Sequence, residues 1–196
     1  MYALANKQPA QIRMALLPNA KDYYATRARN VKMQQLRDYY LGLGIGTVSL
    51  VDLNEYHTAN ELHAVLEQCD VIWASGGNTF CLRYAMEQSG FGACIRKLLH
   101  NGVVYGGDSA GAIVAGASLR GAEASDEPAF CEQPIYEGLQ LIDPVIIPHV
   151  DNPDFAEGNE LMLRLNEQHE TIQLRDDEAY VVSGSKVEVV RGVVAH

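Results

Sequence analysis

Short apolar runs alternate with longer amphipathic segments from residue 12 to residue 116, and this alternation limits the folds open to the chain. Residues 12–17 end at Pro18-Asn19 and read as a strand entering a turn. Residues 22–41 carry Tyr24, Ala28, Val31, Leu36 and Tyr39 at near-helical spacing, with Gly42 and Gly44 as stop signals. Residues 47–53 form a second β-branched run, and 58–68 read as a helix with Leu62 and Leu66 on one face. A third strand is expected over 70–74, helices over 79–88 and 92–100, a fourth strand over 102–105, and a helix over 110–116. Helices between successive strands supply the long crossovers that parallel pairing needs. The expected fold class is therefore α/β, a three-layer arrangement of a mostly parallel sheet with helices on both faces. Val71-Ile72-Trp73-Ala74 is apolar throughout, as a strand buried on both faces must be.

Residues 119–137 break the alternation. They include Glu123, Asp126, Glu127, Pro128, Glu132 and Pro134 and read as a long polar surface excursion, a flap beside a site. A strand over 144–147 and a helix over 155–168 follow, then closing strands over 171–174, 179–182 and 187–190, with Ser183-Gly184-Ser185-Lys186 as the hairpin turn between the last two. No repeat or linker interrupts residues 1–196, which are read as one domain; 47% hydrophobic residues provide a core of ordinary size.

The formal net charge of −10 disfavours nucleic acid as a partner, because an acidic surface repels phosphate backbones. No apolar run is long enough to suggest a membrane span, and Met1 to Pro9 contain no signal-peptide core; a cytoplasmic protein is expected. Cys69, Cys81, Cys94 and Cys131 form no CxxC pair or metal-ligand spacing and read as reduced thiols. Neither metal nor organic cofactor is expected. A homodimer is one open state of assembly.

The sharpest local signal is Val103-Val104-Tyr105-Gly106-Gly107-Asp108-Ser109-Ala110-Gly111-Ala112. A strand runs into G-x-S-x-G and a helix begins there, the context of a nucleophile elbow. Such a turn is sterically cramped, so the neighbours of the serine must lack bulk, as Gly107, Ala110, Gly111 and Ala112 do. Ser109 is the candidate nucleophile. The N–H of Ala110, at a helix N-terminus, can face a developing oxyanion. Ser75-Gly76-Gly77-Asn78-Thr79 also joins a strand to a helix, and in a parallel sheet both loops lie on the carboxyl edge. Gly77 is the candidate second oxyanion donor, and Gly76 and Asn78 are candidate substrate contacts; a plain turn with Asn78 capping the helix explains the same residues without a ligand.

A serine hydroxyl needs a general base. Of His57, His63, His100, His149, His169 and His196, two follow strand ends: His57, in Asn54-Glu55-Tyr56-His57, is the weaker competitor, and His149 follows an apolar strand and enters a turn-rich loop, Val150-Asp151-Asn152-Pro153. His149 is the candidate base, and it needs an orienting acceptor. Asp176-Asp177-Glu178 follows another strand end, but spacing does not choose among the acids after His149.

Gly76-Gly77-Asn78-Thr79-Phe80, Gly107-Asp108-Ser109-Ala110-Gly111-Ala112 and Pro148-His149, in that order, resemble peptidase family S51, which includes peptidase E and cyanophycinase. The likeness runs from about Pro9 to Val194. It implies a fold like that of the class I glutamine amidotransferase domain and a serine-type peptidase acting on short peptides. It also implies a Ser-His-acid triad with Ser109 as nucleophile, His149 as base and Gly77 and Ala110 as the oxyanion hole. Counting back from the strand at 179–182 favours Asp176 as the acid, with Asp177 second, where peptidase E usually has Glu. Peptidase E has an arginine after the histidine that resembles a clamp for a substrate aspartate; Phe155-Ala156-Glu157-Gly158-Asn159-Glu160 has none, so strict aspartyl specificity is not expected. Family members begin with a strand and helix ahead of the position of Leu4, and a sheet without that strand is expected. Glutaminase chemistry would need a cysteine at position 109. The alternative is a catalytically silent ligand-binding or interaction domain of the same fold, which would have no need for Ser109, His149 and a small-residue elbow.

Overall fold

The computed structural model describes residues 2–192. Four parallel strands, β1 (Arg13–Leu17), β2 (Thr47–Leu50), β3 (Val71–Ala74) and β4 (Val104–Gly107), form one sheet in the order β2-β1-β3-β4. Side-chain alternation divides the core between the two faces. Met14 and Leu16 pack with Tyr40, Ile45 and Val48 beneath α2 (Thr26–Gly42). Ala15, Leu17, Ile72 and Ala74 face a larger cluster. It contains Leu62 and Leu66 from α3 (Ala59–Leu66), Phe80, Leu82 and Met86 from α4 (Thr79–Gln88), and Phe91, Ile95 and Leu98 from α5 (Phe91–His100). Helices therefore cover both faces, as the alternation requires. Ahead of β1 the described residues form a helical turn, α1 (Tyr2–Ala5), and a 3-10 turn, but no strand.

The register positions the site. Leu17 pairs with Ala74 and Ala74 with Gly107, so three strands end level with one another. The loops that follow them begin at one edge.

Several boundaries differ from expectation for local reasons. The second helix starts at Thr26 rather than residue 22, because residues 19–21 form a 3-10 turn and the Asp22 carboxylate accepts from Asn19, Asn54 and Arg29. β4 starts at Val104 rather than Gly102, which turns the chain at φ +88° after α5. The next helix, α6 (Ala110–Ile113), is a single turn.

Residues 119–137 are not a purely surface excursion. Leu119 and Ala122 are buried, the Leu119 N–H donates to Tyr136 O at 2.8 Å, and Ser118 bridges Glu137. The polar residues of this segment hid its anchoring in the core.

β5 (Val145–Ile147) and β6 (Thr171–Gln173) form a separate parallel pair, connected through α7 (Ala156–Leu165). β7 (Glu178–Ser183) and β8 (Lys186–Arg191) form an antiparallel hairpin about Gly184, at φ +61°. The closing strands thus do not extend the four-stranded ladder.

Candidate active site

β4 delivers the chain into a turn where Ser109 has φ +49° and ψ −112°. A non-glycine residue with positive φ is held there only by surrounding structure. Here the surroundings are glycines in contact. A Cβ on Gly107 would strike the Gly111 backbone, and one on Gly111 would strike the Ala74 carbonyl. A Cβ on Gly106 would stand 2.6 Å from the Trp73 ring. The Tyr105 hydroxyl donates to Gly111 O at 2.7 Å and closes the turn from below.

The loop after β3 is built against this elbow. Asp108 Oδ2 accepts the Gly76 N–H at 2.9 Å, and Oδ1 accepts the Trp73 indole N–H at 2.7 Å. Gly76 lies so near Ser109 that a Cβ on it would be 3.0 Å from the serine Cβ. Gly77, at φ +141°, packs on the Ala20 carbonyl, where any side chain would collide. Among the described residues, the N–H groups of Gly77 and Ala110 donate to no protein acceptor.

β5 and β6 end together, and the Val150 N–H donates to Leu174 O at 3.1 Å, which brings the loops carrying His149 and Asp176 side by side. His149 Nε2 is 2.9 Å from Ser109 Oγ, and Nδ1 is 2.5 Å from Asp176 Oδ1. His149 has φ +63°, and its carbonyl accepts from the Asn152 N–H at 3.0 Å and from Asn159 Nδ2 at 3.3 Å. Its ring stacks on Phe155 at 4.5 Å between centroids. Asp151 Oδ1 accepts the Asp176 N–H at 3.1 Å and ties the two loops together. Asp177 turns the other way and pairs with Arg191 at 2.9 Å.

The model of Peptidase family S51 matches residues 3–190. The chain belongs to peptidase family S51. Among its relatives, Peptidase E of Haemophilus influenzae is 35% identical over 116 residues, 59% of this S51 chain and 47% of that protein. The chain thus spans about half the length of this relative. An uncharacterized peptidase of Listeria innocua is 30% identical over 146 residues, 69% of each chain. A solved structure from Listeria monocytogenes EGD-e superposes with a TM-score of 0.77 at 22% identity, covering 94% of this chain and 88% of that one. At that identity the likeness is one of fold.

Within this S51 chain, two residues expected to touch substrate are otherwise occupied. Asn78 is buried; its carbonyl oxygen caps α4 by accepting the Cys81 N–H at 2.9 Å, and its amide donates to Glu127 O at 3.0 Å. The capping explanation is the one the geometry fits. The Gly76 N–H goes to Asp108 and its carbonyl accepts from Lys21, so both backbone groups already have protein partners. Thr79 gives both its N–H and its hydroxyl to Asp126, whose burial raises its pKa while these donors oppose the rise. These contacts hold the 119–137 segment against the loop after β3. Sequence reasoning did not find Lys21, Trp73, Asp108, Phe155 or Asn159. Asp108 lies inside the G-x-S-x-G motif, but only the fold reveals what its carboxylate reaches. The described residues contain no cluster of three or more metal-ligating side chains and no helix long and apolar enough to cross a membrane.

Proposed function

We propose that the chain is a serine-type peptidase that cleaves short peptides through an acyl-enzyme. The observation that carries this reading is the aligned set Ser109 Oγ, His149 Nε2, His149 Nδ1 and Asp176 Oδ1, with successive separations of 2.9 Å and 2.5 Å across the ring. Asp176 holds the proton on Nδ1, which leaves Nε2 as the acceptor for the serine proton.

As Ser109 Oγ attacks the scissile carbonyl, His149 takes its proton. The carbonyl becomes a tetrahedral oxyanion, met by the unpaired N–H groups of Gly77 and Ala110. Each donor of this kind contributes about 3 kcal/mol of transition-state stabilisation. His149 then protonates the leaving amine, and water, deprotonated by the same imidazole, hydrolyses the ester. The chemistry needs neither metal nor organic cofactor. The first turns of α7 carry no arginine, and Arg164 lies in its last turn, so strict selection of an N-terminal aspartate is not part of the proposal.

The test is Ser109→Ala assayed on a panel of dipeptides and amino-acid p-nitroanilides, with fluorophosphonate labelling of the wild type. The expected result is labelling at Ser109 and loss of nearly all hydrolysis in the variant. Wild-type protein that takes no label and cleaves nothing would favour a silent domain.

A further inference from the structure

Lys21, in the loop after β1, donates from Nζ to Gly76 O at 2.5 Å and to Ser75 Oγ at 3.3 Å. Gly76 O belongs to the same peptide group as the Gly77 N–H. The peptide is trans, so its C=O and N–H point to opposite sides. The ammonium therefore sits on one side of this group and the unpaired N–H emerges on the other. Charge on the carbonyl side enhances amide resonance and strengthens the N–H as a donor. The unit cannot easily turn: Asp108 holds the Gly76 N–H, and Ala20 O accepts the Asn78 N–H at 2.7 Å just beyond it.

We propose that Lys21 is a positioning residue that orients and polarises the Gly76-Gly77 peptide, so that the Gly77 N–H meets the oxyanion as a fixed, strengthened donor. This role rests on the serine-peptidase reading above. Burial lowers the Lys21 pKa, and the nearby Asp108 charge opposes that lowering. Lys21 also borders an open cleft of about 400 Å³ that reaches Gly77 and is lined by Tyr23, Tyr24, Lys32 and Tyr39. A lysine binding substrate directly in that cleft would act on KM; one acting through the peptide acts on kcat.

The experiment compares wild type, Lys21→Met, Lys21→Arg and Ser109→Ala on the p-nitroanilide that the wild type cleaves fastest. It adds inhibition by the matching amino-acid aldehyde, whose hemiacetal oxygen occupies the oxyanion position. For Lys21→Met, kcat is expected to fall about 10- to 100-fold with KM changed less than about threefold, and the aldehyde Ki to rise in step with the loss of kcat/KM. Lys21→Arg, which keeps the charge and the donors, is expected to recover most of kcat. An unchanged kcat in Lys21→Met, a rise confined to KM, or failure of Lys21→Arg to restore kcat overturns the role. If Lys21→Met lacks a cooperative melting transition, Lys21→Arg decides alone, and a kcat as low as that of Ser109→Ala counts against the proposal. Wild-type hydrolysis that survives Ser109→Ala, or no hydrolysis at all, overturns the serine reading and this role with it. Hydrolysis that needs Ser109 but ignores Lys21 overturns this role alone.

Discussion

Asp108 and Gly76 are joined by a 2.9 Å hydrogen bond that fastens the residue before the elbow serine to the loop after the neighbouring strand. The second oxygen of the same carboxylate takes the Trp73 indole N–H at 2.7 Å. One side chain thus sets the spacing between Ser109 and the Gly76-Gly77 peptide. Asp108→Asn keeps only one acceptor oxygen and leaves one of the two donors unpaired. It is expected to cost about 1–3 kcal/mol in urea unfolding. Loosening the loop should also lower kcat about tenfold or more with less effect on KM. Equal kcat in variant and wild type would show that the two loops keep their spacing without the carboxylate.

Asp176 and Asp177, which the family resemblance ranked first and second for the acid, should differ sharply in kinetics. Asp176→Asn loses the acceptor that orients the His149 ring, and kcat is expected to fall on the order of 10³-fold or more. Asp177→Asn breaks the pair with Arg191 and is expected to leave kcat within about twofold, since surface ion pairs contribute little. Steady-state kinetics on both variants check the assignment, and a reversed order would move the acid role to Asp177.

Glycine substitutions should separate steric need from helix propensity. Gly111→Ala places a methyl into the Ala74 carbonyl and is expected to destabilise by about 3 kcal/mol or more. Gly42→Ala, in the last turn of α2 with open space around it, is expected to stabilise by roughly 0.5–1 kcal/mol. Thermal or urea unfolding of the pair measures the opposite signs.

Asp70 gives the fold a defined acid limb. Hydrogen bonds from Arg13, reinforced by Lys7, hold its carboxyl well below the usual carboxylate range. A depressed folded-state pKa means that the stabilisation is full above the unfolded pKa of about 4 and is lost as pH falls through the folded value. Asp70→Asn should therefore lower the urea midpoint at pH 7. The gap to wild type should narrow progressively as pH falls from about 4 towards 2, because the folded carboxyl titrates lower still. A gap that stays constant across this range would show that the ionised carboxylate is not its source.

The helix and strand order through α6 was legible because each signal is local. Apolar residues at helical spacing marked Leu62 and Leu66, and the unbroken run Val71 to Ala74 marked a strand covered on both faces. The elbow was legible for the same reason: its small residues stand together in one short run, and a Cβ on Gly107 would strike the backbone of Gly111 four residues on. The site was legible in part. Ser109 and His149 could be nominated from the strand ends they follow, whereas Asn78 was expected to meet substrate and instead caps α4. Lys21 carried no signal, because nothing near it in the chain indicates that its ammonium ends at Gly76 O.

The sequence by itself determined the alternation of elements and marked the small-residue bend that lifts Ser109, since apolar spacing and a run of small residues are both local patterns. Tertiary structure alone decided that Lys21 and Asp108 grip the Gly76-Gly77 loop from two sides, and it sets Asp176, which the resemblance had favoured, rather than Asp177 against His149. The physical reason is that these groups lie tens of residues apart in the chain and meet only because parallel strands in matched register end at a common edge.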